Sequence, residues 1–218
     1  MAADVKRLGV LGGTFDPIHF GHLVAAEAAA EVLDLDRVLF VPCGRPPHRP
    51  AGQTTPAEHR YLMTVLATAG NPRFRVSRME LDRPGPSYTV DTLEELRAEL
   101  GPDVALIFIV GADAFLGMDR WKDPERILEL AEVAVVSRPG WNDGAVEARL
   151  QAMPAHLAAR VRHLDIDPLN ISARELRRRL SQGRSVRYLL PQQVLDYIQQ
   201  HGLYRGSHAE LMEQKAPC

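Results

Sequence analysis

Apolar residues along the 218-residue chain fall into short continuous runs, separated by stretches with helical spacing. Leu8-Gly9-Val10-Leu11 is the first run, and its lack of polar alternation predicts a strand buried on both faces. Arg37 to Val41, Phe74 to Ser77, Val104 to Val110, Val133 to Val136 and Arg160 to Ile166 repeat the pattern. Helices are predicted between them: Phe20 to Leu33, Thr55-Pro56 to about Ala69, Tyr88 to Leu100, Pro124 to Leu130, and a weakly patterned Asp143 to Leu157. Val90, Leu93, Leu96 and Leu100 carry the clearest helical period, and Gly101-Pro102 stops it. Two further helices, Ser172 to Leu180 and Pro191 to Gln200, follow with no strand between them. Three prolines within Gly44 to Pro50 deny that stretch both helix and ladder, and Asp82 to Pro86 reads as another loop.

Strands alternating with helices predict an α/β fold: a doubly wound, mainly parallel sheet with right-handed crossovers and helices on both faces. One domain is expected over 1–204, with 167–204 as a small helical C-terminal part and 205–218 as a disordered polar tail. Ligands are then expected at the carboxyl ends of the strands.

Composition narrows the setting. Hydrophobic content of 45% and charged content of 25% are ordinary for a soluble globular protein. A net charge of −2 argues against a general nucleic-acid or membrane binder. No stretch reads as a signal peptide or a membrane span. The only cysteines, Cys43 and Cys218, support neither a disulfide framework nor a structural zinc site. A soluble, cytoplasmic protein is expected.

Candidate chemistry clusters after the strands. In Leu8 to Leu23, LGVLGGTFDPIHFGHL, a strand, a Gly12-Gly13 turn and a helix start succeed one another, which predicts a phosphate site. His19 and His22, three apart, fall on one side of the first helical turn. No Gly-Lys-Ser/Thr follows the glycines, and they do not space as GxGxxG, so neither a P-loop nor a dinucleotide fingerprint is present. Asp113, after Gly111, suits a helix N-cap and a ribose acceptor equally. Trp121 suits packing more readily than a ligand platform. Pro46-Pro47-His48-Arg49 suits an anion or a solvated loop, and the hydroxyls of Ser87-Tyr88-Thr89 suit caps. Ser172 is a good N-cap, and with Arg177 it makes a second anion site.

The string GGTFDPIHFGH resembles the signature of the nucleotidyltransferase superfamily, whose HxGH histidines sit on the triphosphate of ATP or CTP. PPHR, SYTVDTL, the GAD segment with Trp121, ISARELR and LLPQQVLDYIQQHGLY follow in that order. From about Leu8 to Tyr204 the chain is therefore similar to bacterial nicotinate-mononucleotide adenylyltransferases. The resemblance implies a Rossmann-like fold and transfer of the adenylyl group of ATP to nicotinate mononucleotide in NAD biosynthesis. It implies that His19, His22 and Arg177 are catalytic, supplying positive potential, and that Gly12, Thr14, Phe15, Gly111, Asp113 and Ser172 join them around ATP. His48, Ser87, Tyr88, Thr89 and Trp121 would hold the mononucleotide, the Trp121 ring stacking on the pyridine. Mg²⁺ is expected, carried mainly by the substrate phosphates rather than by a protein metal site. Partners are then small molecules only, with no nucleic acid and no membrane. One departure stands out: Arg174 occupies a position where the family often has Thr or Ser. Rival readings are a sister adenylyltransferase for phosphopantetheine or nicotinamide mononucleotide, a silent nucleotide-binding module, and a cytidylyltransferase.

Overall fold

Six strands form one sheet with every neighbouring pair parallel, in a computed structural model that describes residues 5–47, 52–137, 143–166 and 169–205. They are β1 (Arg7–Gly13), β2 (Arg37–Pro42), β3 (Phe74–Val76), β4 (Ala105–Gly111), β5 (Glu132–Ser137) and β6 (Val161–Asp165). Their order is β3-β2-β1-β4-β5-β6. The direction of winding reverses between β1 and β4, so a crevice opens beyond their carboxyl ends.

The expected strands are all present, but β1 runs further than its apolar residues do. Gly12 and Gly13 stay in the ladder, opposite Val41 and Pro42, and the Gly13 carbonyl accepts the Cys43 N–H at 2.8 Å. The turn expected at the glycines falls instead at Thr14 to Asp16, where Phe15 takes a left-handed φ of 47°. Continued ladder bonding keeps the glycines extended and moves the turn beyond them.

The helices are α1 (Phe20–Val32), α2 (Ala57–Thr68), α3 (Met79–Asp82), α4 (Thr89–Leu100), α5 (Ala112–Leu116), α6 (Pro124–Leu130), α7 (Asp143–Ala152), α8 (Ala155–Ala158), α9 (Ala173–Ser181) and α10 (Gln192–Gln200). The sequence does not predict α3 and α5, because helices of four or five residues show no period. The stretch expected as one helix from Asp143 divides at Pro154, which lacks the N–H that continuation needs and instead caps α8.

Two cores sandwich the sheet. On one face, Ala26, Ala29 and Ala30 of α1 lie against Ile107 and Ile109, with Met63 of α2 beside them. Leu176 of α9 and Leu195 and Ile198 of α10 belong to this same cluster, so the C-terminal helices pack as part of it. On the other face, Leu93 and Leu96 of α4 and Phe115 of α5 cover Val10, Phe108 and Val133. Each buried side chain of this size contributes about 1.5–3 kcal/mol relative to exposure.

Gly44 ties the loop after β2 to the body. A Cβ placed there would stand 2.1 Å from the Glu80 carbonyl oxygen, a backbone atom that cannot swing aside. Gly44→Ala is expected to cost about 1–3 kcal/mol, read as a lower urea midpoint; an unchanged midpoint would show that the loop shifts freely.

Candidate active site

The turn between β1 and α1 is built around two stacked imidazoles. His19 is the N-cap of α1 in an extended conformation, and its ring lies 3.8 Å from that of His22, the planes 24° apart. The His19 backbone N–H donates to His22 Nδ1 at 3.3 Å. Neutral His22 therefore carries its proton on Nε2, leaving a donor at the far end of the ring. A Cβ on Gly21 would sit 3.0 Å from His19 Nδ1, so a larger residue there would press on the His19 ring. Phe15 is buried, and its ring meets His22 edge to face at 5.1 Å. Phe15 thus props His22 and can meet a ligand only through its backbone.

Burial brings His19 down to about 4 and holds His22 well below its ordinary value, with the His19 charge lowering it further. Both rings are neutral at pH 7. Desolvation thus opposes the positive potential expected from these rings and leaves the His22 Nε2–H as a donor at the helix start.

Two buried ionic groups clamp this turn. The Asp16 carboxylate accepts the Tyr204 hydroxyl at 2.6 Å and the Thr55 N–H at 3.4 Å. Arg177 of α9 donates from Nη1 to the Asp16 carbonyl oxygen. Arg60 of α2, 1% exposed, donates to the carbonyls of Thr55 and Thr14 at 2.8 Å and of Gly44 at 3.1 Å. A single guanidinium therefore joins the β1–α1 turn, the loop after β2 and the start of α2. Arg60 gives no signal in the sequence, where a charged residue in an amphipathic helix reads as solvated.

A cleft of about 290 Å³ runs over the carboxyl ends of β1, β4 and β5, lined by His19, Gly21, His22, Gly111, Asp113 and Ile171 among others. It shares Asp113 with a second hollow, bounded also by Ala114, Arg120 and Trp121. That hollow shares Trp121 with a third, of about 170 Å³, lined by Pro47, Tyr88, Thr89, Lys122 and Ile127. The three hollows thus adjoin through these shared walls as a trough. Gly111 is the N-cap of α5 and Asp113 stands exposed in its first turn. The Trp121 ring packs edge-on to Phe108 at 5.9 Å and is only half-buried, so its other face is available.

The third hollow ends on the first turn of α4, where Tyr88 is the N-cap and makes no side-chain capping bond. Thr89, Val90 and Asp91 therefore begin a 12-residue helix with open N–H groups. Ser87 is buried beside them, but its hydroxyl is committed: it accepts the N–H groups of Gly44 and Arg45 at 3.1 and 3.2 Å and bonds the Glu80 carboxylate. Burial raises Glu80, which also accepts from Thr92 at 2.6 Å. Ser87 therefore shapes the loop.

The remaining expected residues are less central. Ser172 caps α9, its hydroxyl accepting the Glu175 N–H at 3.4 Å. Arg174 is exposed in the first turn of α9. His48 lies outside the described residues. A polar group that the sequence does not reveal closes the β5–β6 end of the cleft: Ser137 Oγ lies 2.6 Å from His163 Nε2, and His163 Nδ1 lies 3.2 Å from Glu147.

A family model for cytidylyltransferase-like domains matches residues 10–179. A Thermus thermophilus protein is 54% identical over 199 residues, covering 91% of this chain and all of its own length. A Moorella thermoacetica protein is 48% identical over 199 residues, covering 91% of this chain and 92% of its own. Both bear the name "probable nicotinate-nucleotide adenylyltransferase". The chain belongs to this family of nicotinate-nucleotide adenylyltransferases. The fold agrees with solved Plasmodium falciparum nicotinic acid mononucleotide adenylyltransferase, seen in complex with NaAD, at TM-score 0.72 and 18% identity over 91% of this chain and 97% of that one.

Within this adenylyltransferase scaffold no group of three or more His, Cys, Asp or Glu among the described residues could hold a metal ion. The carboxylate within the β1–α1 turn, Asp16, is already bonded to Tyr204 and Thr55. The donor set thus fits a divalent ion that arrives on phosphate oxygens. No described helix is long and apolar enough to cross a membrane.

The depressed His19 pKa makes folding pH-dependent. The unfolded chain takes up this proton near 6.5, whereas the folded state resists it down to about 4, so stability is full above pH 6.5 and falls as pH drops between these values. Between pH 6.5 and 5 the protein is expected to lose about 1–2 kcal/mol more than a His19→Asn variant. Urea melts at both pH values check this; equal losses would place His19 in a solvated site.

Proposed function

We propose that the chain joins ATP and nicotinate mononucleotide, giving nicotinate adenine dinucleotide and pyrophosphate in the cytoplasm, with Mg²⁺ as the divalent ion. The observation that carries this reading is the trough of adjoining hollows, which has a neutral His19–His22 helix start at one end and an open α4 N-terminus beside a half-exposed indole at the other. Such a trough suits a triphosphate at the first end and a flat anionic ring at the second.

The 5′-phosphate of the mononucleotide is ionised at neutral pH, so no protein nucleophile or general base is required. One of its oxygens attacks the α-phosphorus of ATP as the bond to the bridging oxygen breaks, and pyrophosphate leaves with that electron pair. Mg²⁺, held by phosphate oxygens, would offset charge on the leaving group. His22 donates from Nε2 toward those oxygens, Gly12 and the Thr14–Phe15 backbone border them, and Arg177 turns a free N–H of its guanidinium to their far side. Gly111 and Asp113 would hold the ribose, Ser172 would present the α9 helix start, and Tyr88, Thr89 and His48 would enclose the mononucleotide, with the Trp121 ring stacked on the pyridine.

A neutral donor that strengthens its bond as charge develops acts on the transition state more than on bound ATP. His22→Ala is therefore expected to lower kcat about 100-fold or more while changing ATP affinity less than about fivefold. Equal losses in rate and binding would remove that role.

Pyrophosphate release from Mg·ATP separates the rivals. Turnover with nicotinate mononucleotide well above that with the amide mononucleotide, phosphopantetheine, or CTP in place of ATP is the expected result. Strong turnover with phosphopantetheine or CTP would assign a sister activity, and ATP binding without any turnover would assign a silent module.

A further inference from the structure

Lys122 follows Trp121 and faces the same hollow as Tyr88 and Thr89. Its Nζ lies 2.6 Å from Asp91 Oδ1 and 5.2 Å from the centre of the Tyr88 ring. The segment is held in place by the Trp121 N–H, which bonds the Met118 carbonyl at 2.9 Å. Asp91 sits in the first turn of α4, two residues after Thr89, which lines the hollow.

That placement sets up a conflict. A carboxylate in a first turn favours the helix, but it also opposes a second carboxylate approaching the same N–H groups. Lys122 resolves it, because an ammonium on Asp91 cancels the repulsion and keeps two further N–H donors for an incoming anion. An uncharged carboxamide would gain little from either effect.

We propose that Lys122 is a specificity-determining residue, making the pyridine hollow selective for a ring carboxylate over a ring carboxamide by neutralising Asp91. The inference rests on the adenylyltransferase reading above and adds to it a side chain and a charge mechanism. The selectivity is electrostatic and lies at a half-exposed pair, so it is modest and salt-sensitive.

The test is the ratio of kcat/KM for nicotinate mononucleotide to that for the amide mononucleotide, with saturating Mg·ATP. Lys122→Met is expected to lower this ratio about 5- to 10-fold, and Lys122→Arg to recover most of it. Asp91→Asn is expected to keep or raise the ratio, and the double variant to regain much of what Lys122→Met loses, because the repelling carboxylate is then gone. Raising salt from about 50 to about 500 mM should lower the ratio in the unsubstituted protein and raise it in Lys122→Met, where only the repelling Asp91 charge is left to screen. A ratio unchanged in active Lys122→Met overturns the proposal, as does a double variant no better than the single one. Absence of turnover with both mononucleotides in the unsubstituted protein would instead overturn the adenylyltransferase reading, and the lysine's role with it.

Discussion

A guanidinium taken out of water is tolerated only where its N–H groups meet acceptors, and Arg60 meets that condition by drawing three loops together. Its carbonyl partners belong to Thr14, Gly44 and Thr55, so the β1–α1 turn and the loop after β2 share one buried anchor. Asp16 works from the other side of the turn, reaching Tyr204 near the end of the described chain. Residues at positions 14, 44, 55 and 204 thus depend on two buried ionic groups. Loops otherwise too polar to bury are held rigid at the carboxyl edge of the sheet.

That rigidity explains the state of the histidines. Stacked on each other, with the Phe15 ring edge-on to His22, they are pushed by burial toward the neutral form. A permanently cationic pair would bind any phosphate, product pyrophosphate included, with the same strength. Neutral imidazoles aimed by fixed backbone bonds respond instead to the charge that a substrate brings, which is the kind of preorganisation that favours a transition state.

The sheet is legible in the sequence because its strands are buried on both faces, and an unbroken apolar run as short as Val104 to Val110 fits little besides a central strand. The turn between β1 and α1 is legible for a similar reason: two histidines around a glycine after a strand form a tight local pattern. What stays hidden depends on contacts far apart in sequence. Arg60 looks like one more polar position in α2 until Thr14 and Gly44 stand beside it. Ser87 looks like a helix cap, yet its hydroxyl holds residues 44 and 45. Charge state is hidden too, since a histidine's pKa depends on burial that no spacing records. Gly12 and Gly13 show the opposite error, where a local preference for turning is overridden by ladder bonds to β2.

These features give the two ends of the trough different ways of handling anions. At the α1 end, where a triphosphate would sit, the structure withholds formal charge from the imidazoles and leaves Arg177 on a backbone carbonyl. At the α4 end, an ammonium, a carboxylate and open N–H groups stand together at the surface. On the proposed reading, the difference matches what each end would have to accomplish. A triphosphate brings its own cation and several charges, so positioning is the scarcer requirement there. A single ring carboxylate brings one charge and no metal, and telling it from a carboxamide of nearly the same shape needs a field rather than a fit.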